Sequence, residues 1–248
     1  MFKNGSVPYN TIMHLFDHRI KPILLYGSEI WGLTLIKEGR LQFNTLKRDD
    51  IEACHIKFCR YSLCVSKKAP NIGIYGETGR YPLSIEIVTN IIKYWHRIVH
   101  TNETSLLRSA YNELQNNTRE NNSIRDIELL MENANIKNNQ SQFSTINTIK
   151  GMLQSQFREF WKTKLFDDSN TTHGNKLRSY RTYKNTFCKE EYLSIVSQSL
   201  RGNFARLRLS AHNLHIETGR YNSQAERKEP ENSVCMYCDQ GVCEDEFH

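Results

Sequence analysis

Proline is scarce in this chain of 248 residues, five in all, and no long uncharged hydrophobic run occurs. The longest apolar stretch, Ile20–Ile36, is broken by Lys21, Pro22 and Glu29. It falls short of the roughly 18 uncharged residues that a membrane-spanning helix needs. With 38% hydrophobic and 24% charged residues and a mean hydropathy of −0.62, membrane-embedded, collagen-like and coiled-coil classes are excluded, and no membrane partner is expected. Behind the opening Met-Phe-Lys-Asn-Gly-Ser there is no apolar core and no small-residue cleavage site. The expectation is an intracellular chain, nuclear and/or cytoplasmic.

Catalytic signatures are missing as well. There is no phosphate-cradling glycine loop, no Gly-x-Ser-x-Gly elbow and no His-Glu-x-x-His. Two-metal chemistry needs carboxylates fixed on rigid elements. The two adjacent pairs, Asp49-Asp50 and Asp167-Asp168, sit at helix ends, where they read as helix punctuation. The chain is therefore expected not to be an enzyme. Strand alternation never exceeds a few residues and no internal repeat is visible, so the fold class is mostly α.

What is present is helical periodicity. After a turn-like start, a stretch through Ile12, Leu15, Phe16 and Ile20 leads into LLYGSEIWG. Leu46–Leu63 carries Ile51, Cys54, His55, Phe58 and Cys59 at i, i+3, i+4, i+7 and i+8, one apolar stripe. A helix from Ser84 to about His100 puts Ile85, Val88, Ile91, Ile92, Trp95, Ile98 and Val99 on one face, with Ser84 as its N-cap. Between them, Pro70, Gly73, Gly76, Gly79 and Pro82 make residues 67–82 read as a loop. Asparagine then becomes common. Because it favours turns over helix interiors, residues 112–145 read as a poorly ordered linker or a short helix pair, Ile124–Met131 being the better part. Helical pattern resumes over 146–166, 177–187, 189–200 and 203–216, before a short Cys-rich tail, 229–248.

The net charge of +6 is unevenly spread. Residues 173–228 hold eleven Lys/Arg against four acids, a local +7, and the remainder of the chain is −1. Such a stretch is where a polyanion would be met. KLRSYRTYKNTF (Lys176–Phe187) interleaves cations with aromatics, and RGNFARLRLSAHNLHIETGRY (Arg201–Tyr221) adds Arg206 and Arg208. Guanidinium and ammonium groups neutralise phosphates, and aromatic faces stack on unpaired bases. A merely solvated basic helix face is the bland alternative.

Seven cysteines is an odd number, and three lie in the last fourteen residues. Clustered cysteines near a histidine in an intracellular chain point to metal before disulfide. Cys235-Met-Tyr-Cys238 can offer two thiolates from one turn, and His248 a third ligand. Tetrahedral zinc needs a fourth, either Cys243 or a residue this chain lacks. Incidental thiols on a disordered tail are the alternative. Cys54, Cys59 and Cys64 fan apart by roughly 140° per step on a helix and are expected to pack rather than ligate. The His14/His18, His96/His100 and His212/His215 pairs have no ligand partners at suitable spacing. They read as ordinary histidines, with phosphate contact an alternative for His212.

Taken together, these strings resemble a known family. LFDHRIKPILLYGSEIWG (Leu15–Gly32) is similar to the segment after the catalytic palm of reverse transcriptases encoded by LINE-type (non-LTR) retrotransposons. FCRYSLCVSKKAPNIGIYGETGRYPL (Phe58–Leu83) resembles the stretch that follows it there. KLRSYRTYKNTFCKEEYL and ARLRLSAHNLHIETGRY look like the two blocks before that family's C-terminal Cys-Cys-His-Cys knuckle, and CMYCDQGVCEDEFH like its start. The Asn-rich middle matches least.

The resemblance implies a C-terminal fragment, since the Tyr-x-Asp-Asp hairpin, the endonuclease domain and the last knuckle cysteine are all absent from the sequence. Its implied layout is the end of a thumb-like segment (1–32), a helical connection domain (33–111), the Asn-rich linker (112–145), a basic helical domain (146–228) and a truncated zinc-knuckle-like tail (229–248). It implies zinc in the full-length parent, with Cys235, Cys238 and His248 as the ligands carried over. Cys243 stands where the family often has an aliphatic residue. The resulting expectation is a non-catalytic fragment that binds RNA and/or DNA. Lys176, Arg178, Arg181, Lys184, Arg206 and Arg208 would contact phosphate, with Tyr180 and Tyr183 stacking on bases. That requires a continuous electropositive face. The alternative is a protein-interaction or structural module that docks on the missing polymerase portion and has no independent function.

Overall fold

The computed structural model describes residues 7–44, 50–116, 123–136, 141–169, 175–218, 234–235, 237–238 and 240–246. The described chain is mostly helical, and none of its helices is long and apolar enough to cross a membrane. Helix α1 (Tyr9–Leu15) widens into a π-turn over Phe16–Ile20 and is followed by the short α2 (Lys21–Leu24) and α3 (Ser28–Trp31). A 3-10 turn, Gly32–Leu35, leads to a hairpin of β1 (Ile36–Lys37) and β2 (Arg40–Leu41). Then come α4 (Asp50–Leu63), α5 (Asn71–Thr78), α6 (Leu83–Val99), α7 (Leu106–Asn116), α8 (Ser123–Asn133) and α9 (Gln142–Leu165). The last elements are α10 (Tyr180–Tyr183), α11 (Tyr192–Ile195), α12 (Gln198–Arg208) and α13 (His215–Thr218).

The chain forms two compact units, both discontinuous. Unit 1 comprises Met1–Phe16, Ile56–Arg80 and Trp161–His248, and unit 2 comprises Asp17–His55 and Tyr81–Phe160. Sequential segments read along the chain cannot display such an arrangement.

Unit 2 is built around α6, whose Ile85, Val88, Ile91 and Ile92 are buried as the periodicity predicts, together with Ile87 off that face, while Trp95, Ile98 and Val99 are only part-buried. Its start differs from expectation. The helix opens at Leu83 with Pro82 at the N-cap, so Ser84 already lies in the first turn. The orphan amide of Leu83 donates instead to Glu52 Oε2 (2.7 Å), and the other oxygen of that carboxylate is bonded to His55 Nδ1 (2.8 Å). A hairpin that the sequence reading missed turns on Glu38 and Gly39, both at positive φ, the pattern of a tight two-residue loop. It pairs Ile36 with Leu41 and Lys37 with Arg40. Helix α8 packs on it: Glu38 N–H donates to Asp126 Oδ1 (2.7 Å) and Asn133 Nδ2 to the Gly39 carbonyl (3.0 Å). Of the two readings of 112–145, the helix is realised over Ser123–Asn133, because Ile124, Ile127, Leu130 and Met131 form a buried stripe despite the surrounding asparagines. Residues 117–122 and 137–140 of that stretch lie outside the described residues.

Unit 1 corrects a second expectation. The stretch read as a loop, 67–82, contains α5, buried from Gly73 to Thr78. Its glycines are sites of close approach rather than breakers. A Cβ on Gly73 would stand 2.6 Å from Leu209 Cδ2, and one on Gly76 would stand 2.8 Å from both Trp161 Cζ2 and Tyr180 OH. Pro70 at the N-cap and Gly79 in the left-handed C-cap conformation delimit the helix. Trp161 packs over α5 and donates its indole N–H to the Ile72 carbonyl (2.9 Å). The basic stretches form less helix than expected: 177–187 reduces to α10, and α11 and α12 divide 189–208 differently from the periodic reading.

Candidate nucleic-acid interface

Among the described residues of the basic segment, Lys176, Arg178, Arg181, Lys184 and Arg208 pair with carboxylates within unit 1. The chief cluster forms around Glu77, which α5 holds fully buried. From α12, Arg208 Nε donates to Glu77 Oε1 (2.7 Å) and Nη2 to Oε2 (3.2 Å), and Nη2 also pairs with Glu190 Oε2 (2.9 Å). The guanidinium lies within 4.6 Å of the Tyr183 ring centroid and within 5.8 Å of those of Tyr180, Tyr192 and Phe204. Tyr192 donates its hydroxyl to Glu77 Oε1 (2.5 Å). Burial, followed by the Glu77 charge and hydrogen bond, pushes the Tyr192 phenol above its ordinary range. Burial opposes the charge on Arg208, but its carboxylate partners outweigh that and raise its pKa. Lys184 pairs with Glu190 and donates to the Cys188 carbonyl (2.8 Å).

A second cluster ties down the tail. Arg178 Nη1 donates to Glu217 Oε1 (3.0 Å) and Nη2 to Glu246 Oε2 (2.8 Å). Glu246 also bonds to Ser210 Oγ (3.0 Å) and His212 Nε2 (2.9 Å). Elsewhere Arg181 pairs with Asp168 (2.8 Å), Lys176 donates to the Lys68 carbonyl (2.7 Å) and Arg206 Nε to the Cys64 carbonyl (3.1 Å). Arg201 is buried over the Tyr9 ring.

These positions correct several contact roles. Tyr180 is 0% exposed and offers no face to a base, and Lys184, at 2%, offers no charge to a phosphate. Arg178 and Arg208 each engage two carboxylates and serve the interior. His212 faces Glu246 rather than solvent phosphate. Tyr183, at 45% exposure, presents part of its ring, but its hydroxyl donates to the Arg208 carbonyl (3.0 Å). Arg181 and Arg206 are the cations of the set nearest solvent, each already bonded within the protein, and Lys176 also pairs with Glu217 (3.7 Å). The local charge count missed this because Glu77, Asp168 and Glu246 lie outside residues 173–228. A signal for Glu77 did exist: it is the lone charge in NIGIYGETG, and a solitary acid in an apolar stretch implies a buried partner.

Compared with protein-family models, curated proteins and solved structures, the chain matches none.

The cysteine tail forms a small turn. Val234 and Cys243 make an antiparallel bridge, and Cys235 N–H donates to the Val242 carbonyl (2.9 Å). The Tyr237 amide points at Cys235 Sγ (3.4 Å), a donor that would also steady a thiolate. His248 lies outside the described residues, among which no three His, Cys, Asp or Glu side chains form a metal-holding group. Burial, followed by the neighbouring Asp245 charge, pushes the Cys243 thiol up.

Burial alone would raise the Glu246 carboxyl, but the hydrogen bond with His212 and the Arg178 charge hold it at about 2, below the ordinary 4.5. A depressed carboxyl contributes its stability above the ordinary pKa and loses it as pH falls through the folded value. Acidification from about 4.5 to about 2 should therefore release the tail. Amide NMR shifts of Ile216 and Cys235, bonded to Glu244 and Val242, should move to unstructured values in that window, whereas Glu246→Gln should show the released positions already at neutral pH.

Proposed function

We propose that this chain is the non-catalytic, helical C-terminal part of a LINE-type reverse transcriptase, working as a structural module that docks on the polymerase portion of its parent. The observation that carries the reading is the internal use of the basic segment: Arg178, Lys184 and Arg208 are held by Glu217, Glu246, Glu190 and Glu77. Those charges organise unit 1 and are not free to grip a polyanion. Zinc belongs to the same proposal. Cys235 and Cys238, with His248, would hold it, and the metal would act as a structural cross-link for the tail.

RNA and DNA contact is the second reading, favoured by the partly open Tyr183 beside α12. Salt dependence separates the two. Contact between phosphate and all six of Lys176, Arg178, Arg181, Lys184, Arg206 and Arg208 would give log K against log[salt] a slope near about −5 on duplex DNA, at about 0.9 per phosphate. The docking reading expects weak binding with a slope no steeper than about −2, from outlying cations alone. A slope near −5 would overturn it.

A further inference from the structure

Unit 2 carries an apolar groove of about 530 Å³ between α3, α6, α7 and α8. Helix α7 contributes Leu107, Ala110, Tyr111 and Leu114, at i, i+3, i+4 and i+7, and α6 contributes an equivalent row from Ile91 to Ile98. The walls stand open: Ile30 is 65% exposed and Leu114 53%. Among the described lining residues, Glu29 is the single charged side chain. Among the described residues it makes no hydrogen bond or ion pair.

These features select an occupant. A small apolar ligand is normally enclosed on most sides, whereas here Ile30 and Leu114 remain more than half in water above a buried floor of Ile91, Ile124 and Ile127. The α7 row from Leu107 to Leu114 is about 10 Å long at 1.5 Å per residue, two turns of a helix laid along it. In helix-in-groove recognition the bound helix carries its anchors at i, i+3, i+4 and i+7, a span equal to that of the α7 row. A second copy pairing groove to groove would bring Glu29 no cation from the described lining. An unpaired carboxylate beside an apolar floor calls for a cation on the incoming helix.

We propose that this groove receives an amphipathic helix of a partner protein, its apolar anchors lying between α6 and α7 and a Lys or Arg meeting Glu29. The proposal deepens the docking reading and rests on it.

The test uses the full chain and a stapled, fluorescein-labelled helical peptide with leucine at i, i+3, i+4 and i+7 and lysine on its flanks. A second peptide carries glutamate in place of lysine. Fluorescence anisotropy should show the lysine peptide binding about tenfold more tightly than the glutamate peptide, with Glu29→Lys reversing the order. Leu114→Asp should weaken binding about tenfold or more while circular dichroism stays unchanged. Ile30→Asp, on a different element, serves if the first variant fails to fold. Equal affinity for the two peptides, indifference to both aspartate variants, or no binding would overturn the proposal. So would a dimer in sedimentation that Leu114→Asp disperses, since a second copy would then be the occupant. No nucleic acid enters this assay, so its failure is distinct from a steep salt slope, which would sink the docking reading itself.

Discussion

Glu77→Ala should destabilise unit 1 by about 3–5 kcal/mol, the usual cost of removing one partner from a buried ion pair. The truncation leaves Arg208 bonded to Glu190 alone, and it strips the acceptor from Tyr192 and the anchor that α12 has on α5. The remaining guanidinium would be partly desolvated, with four aromatic faces as its other surroundings. Cation–π attraction of about 0.5–2 kcal/mol does not replace a carboxylate there. Urea unfolding followed by Trp161 emission, in a background with Trp31→Phe and Trp95→Phe, reads unit 1 specifically, since the other two indoles belong to unit 2. Replacing Glu77, Glu190, Arg208 and Lys184 together by apolar residues of similar volume should recover most of the loss, because a buried charge set exchanged whole is often close to neutral. A loss below about 1 kcal/mol for Glu77→Ala would mean that the cluster behaves like a surface pair.

Gly79→Ala should cost about 2–5 kcal/mol, combining left-handed strain with overpacking. The residue sits at φ +62°, and an added Cβ would lie 2.2 Å from the Lys189 nitrogen and 2.7 Å from the Cys188 carbonyl carbon. Both are backbone atoms of the strap that carries Glu190, so no flexible side chain can give way. The strap is itself tied to α5 by Glu190 N–H donating to the Glu77 carbonyl (3.1 Å), and the substitution therefore loosens the Arg208 cluster as well. Gly151→Ala is the matched control. It lies within α9 with nothing inside 4 Å of the added carbon, and should stabilise by about 0.5–1 kcal/mol through helix propensity. Thermal unfolding of the two variants should move in opposite directions.

How far these features were legible depends on the range of the physics behind them. Helix α4 forms where its pattern lies, but it buries Glu52, His55, Ile56, Cys59 and Leu63, and Cys54 of the expected stripe is exposed rather than packed. Helix α6 announces itself because an apolar stripe is a local property, visible in Ile85 to Val99 without any partner. The first turn of α6 does not, since its cap comes from Glu52, thirty-one positions earlier. Glycine and proline between 67 and 82 carry two meanings. Punctuation is the common one, but Gly73 and Gly76 mark where Leu209, Leu177, Trp161 and Tyr180 approach a buried helix. Charge misled most. A window over 173–228 sees eleven cations and cannot see that Glu77, Asp168 and Glu246 fold back onto Arg208, Arg181 and Arg178. The groove on unit 2 was half visible. Its α6 wall is the predicted stripe, while the opposing α7 lies at the edge of the Asn-rich stretch, where composition hides periodicity.

The central claim is that Arg178, Arg201 and Arg208 of the basic segment are held within the protein. Arginine Nε–H NMR on the full chain, recorded with and without a single-stranded oligonucleotide, tests it most directly. Arg178, Arg201 and Arg208 should give dispersed, slowly exchanging signals that stay in place when the oligonucleotide is added. Rapid exchange of these signals with solvent, together with shifts that follow the added nucleic acid, would contradict the account.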